Sequence, residues 1–251
     1  QEKVKPMTAA ERAEPRPPFR AAWAQLAAEP GVLRLLAVVA VGTLAFNMQD
    51  VLLEPYGGQV LGLSVGQTTV LTATWSLGAL LGFLWTARNL AQGADAYRLA
   101  GRGALIGVAA FSAVIFAGPL NSALVFHLGA AGIGLGGGTF GIATLTAAMT
   151  LPSKAASGLA LGAWGAAQAT AAGIAIFLGG ALRDGVSTAA EAGFLGHLGD
   201  ASLGYSFVYH TEIGLLFLTL VILGPLVRLG VLTQREPESG KAMIGLSEFP
   251  T

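Results

Sequence analysis

Six apolar stretches, each close to or above the roughly 20 residues that cross a bilayer as a helix, constrain this chain more than any other feature. They run from Val32 to Leu53, Gln67 to Ala87, Gly103 to Pro119, Ser122 to Thr150, Ala155 to Leu182 and Tyr205 to Leu229, with short polar or charged punctuation between them. Their apolar character runs all the way round and does not alternate, which favours helices over an outer-membrane barrel. Only 11% of the 251 residues are Asp, Glu, Lys or Arg, against roughly 25% in soluble chains, so a water-facing surface of this size could not be clothed. The expected fold class is all-α: a polytopic membrane protein with six transmembrane helices.

The formal charge sums to zero, which argues against a broadly basic nucleic-acid binder, and no nucleic-acid partner is expected. The placement of the charges says more than the sum. With a cytoplasmic N-terminus, every Lys and Arg except Arg183 falls on one side of the six spans: Lys3, Lys5, Arg12, Arg16, Arg20, Arg34, Arg88, Arg98, Arg102, Lys154, Arg228, Arg235 and Lys241. The positive-inside rule then puts both termini in the cytoplasm. Residues 1–30 read as a cytoplasmic linker, in which Phe19, Trp23 and Leu26 share one face of a short interfacial helix from Phe19 to Ala28. Residues 31–232 form the transmembrane domain, and 233–251 a cytoplasmic tail. The chain begins with Gln and shows no signal peptide, so a processing point or a missing N-terminal part is expected.

Two patterns known from soluble enzymes fail on context. Gly132, Gly134 and Gly137 match GxGxxG, but inside an apolar helix with no preceding strand. Gly62, Ser64 and Gly66 match GxSxG in a loop with no α/β-hydrolase pattern around it. Cysteine is absent, which removes thiolate metal sites and Cys nucleophiles. No enzymatic activity is expected. The glycines instead pair at small-xxx-small spacing for close helix packing: Gly78 with Gly82, Gly103 with Gly107, Gly132 with Gly136, Gly134 with Gly138, Gly137 with Gly141, and Gly158 with Gly162.

Ionisable and amide groups at membrane depth are site candidates by default. Asp50 and Glu54 are four apart and so share a helix face near the outer end of the first span, after which Pro55, Gly57 and Gly58 stop the helix. Two carboxylates there suit proton exchange, cation binding or pairing with Arg183, or simply face outside water. His127 enters the fourth span from its outer end, Gln168 is near the middle of the fifth with Trp164 one turn earlier, and His210 and Glu212 are at the outer end of the sixth. A neutral His or Gln in a dry bundle can ligate the magnesium of a chlorin ring, and His127 is the candidate axial ligand. It can equally hydrogen-bond a neighbouring helix.

The segments Asn47-Met48-Gln49-Asp50-Val51-Leu52-Leu53-Glu54-Pro55-Tyr56-Gly57-Gly58, Val60-Leu61-Gly62-Leu63-Ser64-Val65-Gly66 and Gly158-Leu159-Ala160-Leu161-Gly162-Ala163-Trp164-Gly165-Ala166-Ala167-Gln168 resemble the PucC/LhaA group. These are light-harvesting assembly factors, also called the bacteriochlorophyll-delivery branch of the major facilitator superfamily. The resemblance covers about Gly31 to Leu232. It implies a twelve-helix, two-half fold of which this chain is the linker and the second six-helix half, and it makes Gly93 to Arg102 a degenerate form of the superfamily's loop between the second and third helices of a half. It further implies a non-enzymatic role in assembling light-harvesting and reaction-centre complexes, with bacteriochlorophyll and lipids as bound molecules. The implied partners are antenna polypeptides, the reaction-centre core and the bacteriochlorophyll synthesis machinery, and the implied place is the bacterial inner, intracytoplasmic photosynthetic membrane. His127, Gln168, Trp164, Asp50, Glu54 and Asn47 are the pigment- or ligand-facing candidates. Two alternatives stand beside it: a proton-coupled solute transporter in which Asp50, Glu54 or Glu212 carries the proton, and a permanent structural subunit of a photosynthetic supercomplex.

Overall fold

The computed structural model describes residues 18–150, 157–192 and 202–235, and among these there is no strand. The charged start and the C-terminal tail fall outside the described residues, as do Lys3, Lys5, Arg12, Arg16, Lys154 and Lys241. The helices are α1 (Phe19–Ala28), α2 (Val32–Asn47), a single 3-10 turn (Met48–Val51), α3 (Leu53–Gln59), α4 (Val65–Ala91), α5 (Ala96–Ala117), α6 (Ala123–Met149), α7 (Ser157–Glu191) and α8 (Leu203–Arg235). Six units are long and apolar enough to cross a membrane: the α2 to α3 column, Val32–Gln59, and helices α4 to α8.

Helices α4 and α5 begin before their apolar windows, each at a polar cap. The Asp95 carboxylate accepts the backbone N–H of Arg98 at 2.7 Å and starts α5 seven residues before Gly103. Ser64 opens α4, and its backbone N–H and hydroxyl both donate to Gln67 Oε1 at 2.8 and 3.0 Å. The serine of the GxSxG pattern is therefore a helix start. Helix α7 continues to Glu191, beyond Leu182, and α8 begins at Leu203. His210 and Glu212 lie two to three turns into α8, in its first third.

The first span is corrected in a different way. Pro55, Gly57 and Gly58 do not terminate a helix but lie inside α3. Proline is tolerated there because it occupies the first turn, where an N–H has no intrahelical acceptor in any case. The break comes earlier, at the 3-10 turn. The amide of Asn47 donates to Thr43 O at 2.6 Å, and that of Gln49 donates to Phe46 O at 3.4 Å, so side chains occupy backbone carbonyls at the end of the column's α-helical part. Gly179 of α7 is pressed against the Met48 carbonyl at the same level.

The bundle consists of two triplets. Helix α6 is wedged between α4 and α5, and α2 lies between α7 and α8; the α5–α8 pair joins the two groups. The α4/α5/α6 group is packed backbone to backbone. A Cβ on Gly78 or Gly134 would collide with the carbonyl oxygens of Ala131 and Trp75, and one on Gly103 would sit 2.8 Å from Gly136 O. Gly82, Gly107, Gly132, Gly136 and Gly138 are similarly crowded. Three glycines depart from the expected pairing: Gly141, Gly158 and Gly162 have open space where a Cβ would point. Helices α4 and α7 bury little of their surface and α2 and α6 about half, so the outer helices present hydrocarbon to lipid, as Phe177, 72% exposed, illustrates.

Charge separates along the bundle axis. Arg183 sits with Gln59 and Tyr205 at one end, while Arg228 lies at the other end of α8, roughly 35 Å from Tyr205 at 1.5 Å per residue. Helix α1 packs Leu26 against Val32 and Ala160, with Trp23 beside them, whereas Phe19 stays exposed.

Candidate functional site

Where the two triplets face each other across α6, they do not close. Helices α2 and α7 make little contact with α6 compared with α4 and α5, and a cavity of about 250 Å³ remains between α2, α4, α6 and α7. The α6 wall is the face bearing Gly134, Gly137, Gly138 and Gly141; the other helices contribute aromatic and amide side chains, among them Phe46, Asn47, Trp75, Trp164 and Gln168. Among these glycines only Gly141 has open space where a side chain would point, Ile133, Phe140, Ile142, Thr144 and Leu145 add side chains from α6, and residues from three other helices complete the lining.

The polar groups here are few and placed in contrast to an apolar wall. The Asn47 amide nitrogen is engaged by Thr43 O. Trp164 Nε1 donates to Thr144 Oγ1 at 3.3 Å, and that hydroxyl in turn donates to Phe140 O at 2.9 Å. Trp75 Nε1 is buried with no hydrogen-bond partner, an N–H group whose burial costs about 1–3 kcal/mol if nothing accepts from it. A ligand edge carrying a carbonyl oxygen would relieve it. Gln168 lines the same cavity from the first half of α7.

Three of the sequence candidates, Asn47, Trp164 and Gln168, thus converge on one cavity. His127 does not. Its Nδ1 bonds Ala123 O at 2.8 Å, and since a carbonyl only accepts, Nδ1 is the donor there, which leaves Nε2 as the nitrogen turned to other partners. The half-buried ring sits beside the strongly exposed Leu124 and Leu128, on the lipid-facing rim. Along α6 the step from His127 to Thr144 is roughly 25 Å, so His127 and Gln168 cannot serve the same ring.

The acidic pair is not a pair. The 3-10 turn separates Asp50 from Glu54, so they do not share an α-helical face. Asp50 accepts from Gln49 Nε2 at 2.6 Å, and Glu54 accepts from the Thr72 hydroxyl of α4. Arg183 pairs with neither. It bonds Asp184 at 2.7 Å, Gln59 at 2.9 Å and the Tyr205 hydroxyl at 3.1 Å, and its guanidinium stands 4.7 Å above the Tyr205 ring. Beneath this network Tyr56 packs on Phe126, Tyr205 and Tyr209 with centroids 5.4–5.5 Å apart.

Below those rings is the most deeply placed acid. Glu212 is fully buried, and neither carboxyl oxygen has a partner in full hydrogen-bond geometry; the backbone N–H of Gln49 is the donor that comes nearest to it, and the Asp50 side chain lies close by. The Tyr209 hydroxyl, also fully buried, is unpartnered as well. Trp75 was invisible as a site residue in the sequence because nothing there places α4 opposite α7. Among the described residues no group of three or more His, Cys, Asp or Glu gathers to hold a metal ion.

A bundle of six helices long and apolar enough to cross a membrane, with an aromatic-lined cavity between four of them, defines a polytopic membrane protein. Within that class the chain belongs to the PUCC protein family, whose model matches residues 1–231. It is 65% identical over its full length to a protein of Rhodobacter capsulatus described as "Uncharacterized protein in puhA-bchM intergenic region", covering 53% of that protein. It is 42% identical over 222 residues to Protein PucC of Cereibacter sphaeroides, covering 88% of this chain and 48% of that one. It is 31% identical over 172 residues to the "Bacteriochlorophyll synthase 44.5 kDa chain" of Rhodobacter capsulatus, covering 66% and 39%. The chain spans about half the length of the curated relatives it matches. No solved structure matches it.

Proposed function

We propose that the chain works, without catalysing a reaction, in the assembly of bacterial light-harvesting and reaction-centre complexes, holding bacteriochlorophyll and handing it to antenna polypeptides. The observation that carries the reading is the cavity: a membrane-embedded, aromatic-walled space with one buried N–H donor left without an acceptor, in a chain of the PUCC family. The relative named as a bacteriochlorophyll synthase chain adds support from the pigment side. On this reading the protein sits in the photosynthetic inner membrane with both termini in the cytoplasm, the basic end of the bundle facing the anionic leaflet.

The size of the cavity limits what it holds. At about 250 Å³ it is smaller than the roughly 300–1,000 Å³ of sites that enclose drug-sized ligands. It therefore takes an edge or a tail of a pigment, with the rest of the molecule in the bilayer. When bound, the chlorin supplies the light-absorbing ring and a magnesium open to an axial ligand. The chain's part is to donate from Trp75 Nε1 to a ring-edge carbonyl, to stack Trp164 and Phe46 against the ligand, and to present the Gln168 amide. His127, on the lipid-facing rim, would be a second and separate residue able to hold the magnesium of a chlorin through Nε2. Proton-coupled solute transport has buried Glu212 in its favour, but that single acid lies apart from the cavity.

The test is a near-infrared absorption spectrum of the intact protein purified from phototrophic membranes. Bound bacteriochlorophyll is the expected result, with its affinity lowered about tenfold by Trp75→Phe, as loss of one hydrogen bond of about 1.4 kcal/mol implies. A protein that carries no bacterial chlorin overturns the reading.

A further inference from the structure

The bundle end opposite Arg183 carries a second feature, independent of the pigment cavity. There the first turns of α5 meet the last turns of α8. Gly101 faces α8 there: a Cβ at that position would make ordinary contact with Leu223 Cδ2 at 3.4 Å. Beside this contact the helices part and leave a surface groove of about 450 Å³. Arg98 and Arg102, one turn apart on α5, and Arg228 on α8 stand around it, over a floor that includes Leu105, Leu220 and Val227.

All three arginines are exposed. Among the described residues none of their guanidinium groups has a carboxylate partner or a side-chain hydrogen bond; the one ion pair is Arg183 with Asp184. The nearest acid on α5, Asp95, is spent on capping the helix through the Arg98 backbone N–H. Three like charges are thus gathered without compensation over an apolar surface. A soluble phosphate would answer the charge and leave the floor wet. A neutral lipid would cover the floor and leave the charge unanswered. A molecule with a phosphate head and a hydrocarbon chain satisfies both, and the groove lies where such molecules are, since Arg98 and Arg102 are at the beginning of the α5 span and Arg228 at the end of the last one. Basic grooves between transmembrane helices on the positive side bind anionic headgroups on the same physical grounds.

We propose that this groove is a binding site for an anionic phospholipid, its phosphate held among Arg98, Arg102 and Arg228 and an acyl chain laid along Leu105, Leu220 and Val227. The site is separate from the cavity around Trp75, and its occupancy does not depend on pigment.

The experiment is native mass spectrometry of the purified protein in mild detergent, titrated with phosphatidylglycerol or phosphatidylcholine of matched acyl chains. One phosphatidylglycerol is expected to remain bound in preference to phosphatidylcholine. Each single substitution, Arg98→Gln, Arg102→Gln or Arg228→Gln, should weaken that binding roughly fivefold, and the three together on the order of a hundredfold, since each basic group near an anionic headgroup contributes a factor of that size. Arg88→Gln, at the same membrane face but outside the groove, should leave it unchanged. Equal retention of the two lipids overturns the proposal, as does unaltered binding in the single and triple variants. Displacement of the lipid by millimolar glycerol phosphate also overturns it, because the floor would then contribute nothing.

Discussion

Glu212 shows how much a single position can depend on its surroundings. Both oxygens are enclosed with no donor in bonding geometry, and a buried polar group in that state costs about 1–3 kcal/mol, more when charged, while an apolar replacement of like shape removes the penalty. If the carboxyl serves nothing, Glu212→Met should raise the thermal unfolding midpoint of the purified protein by the equivalent of about 1–3 kcal/mol. A lowered midpoint in a thermal-shift assay would mean that the carboxyl has a partner it depends on. The sequence placed this residue at the outer end of its span because an acid lowers any hydropathy window. The structure starts the helix at Leu203, two residues before the expected Tyr205, and packs Tyr56, Tyr205 and Tyr209 together on the side of Glu212 toward that start. Trp164, Gln168 and Asn47 were legible as singular polar or aromatic groups in apolar surroundings, but their convergence was not, since it depends on the rotation of α2 and α7 about their axes. No spacing within one helix encodes that.

At the scale of the element, glycine spacing proved informative about three helices and misleading about others. Helix α6 uses its glycines on two faces, against the α4 backbone at Gly134 and Gly138 and against the α5 backbone at Gly136. Gly134→Ala should therefore destabilise the protein by about 1–3 kcal/mol, because the new methyl meets a backbone carbonyl that cannot step aside. Gly162→Ala, with open space at its Cβ, should not destabilise and should gain up to about 1 kcal/mol from helix propensity. Thermal denaturation of the two variants in the same detergent distinguishes them, and equal destabilisation would contradict the packing described. The same spacing in α7 carries no such contact, so small-xxx-small marks a helix that can be packed closely and not one that is. The 3-10 turn at Met48–Val51 is likewise absent from periodicity: Asp50 and Glu54 look like neighbours only while the helix is taken as regular.

At the scale of the whole molecule, the number and extent of the spans were readable because each requirement is local: about twenty apolar residues, then polar punctuation. Charge placement adds the orientation. With Arg98, Arg102 and Arg228 at one end and Arg183 neutralised by Asp184 at the other, the positive-inside rule makes a definite prediction. A C-terminal green fluorescent protein fusion should fluoresce and an alkaline phosphatase fusion at the same point should be inactive; the opposite pattern would invert the assignment.

The two triplets are joined very differently on their two sides. Along α5 and α8 the helices are in contact, but along α6 the seam to α2 and α7 is open. Because α4, α5 and α6 interlock through their main chains, the cavity has one wall built backbone to backbone, and opposite it stands α7, the helix that buries least of itself.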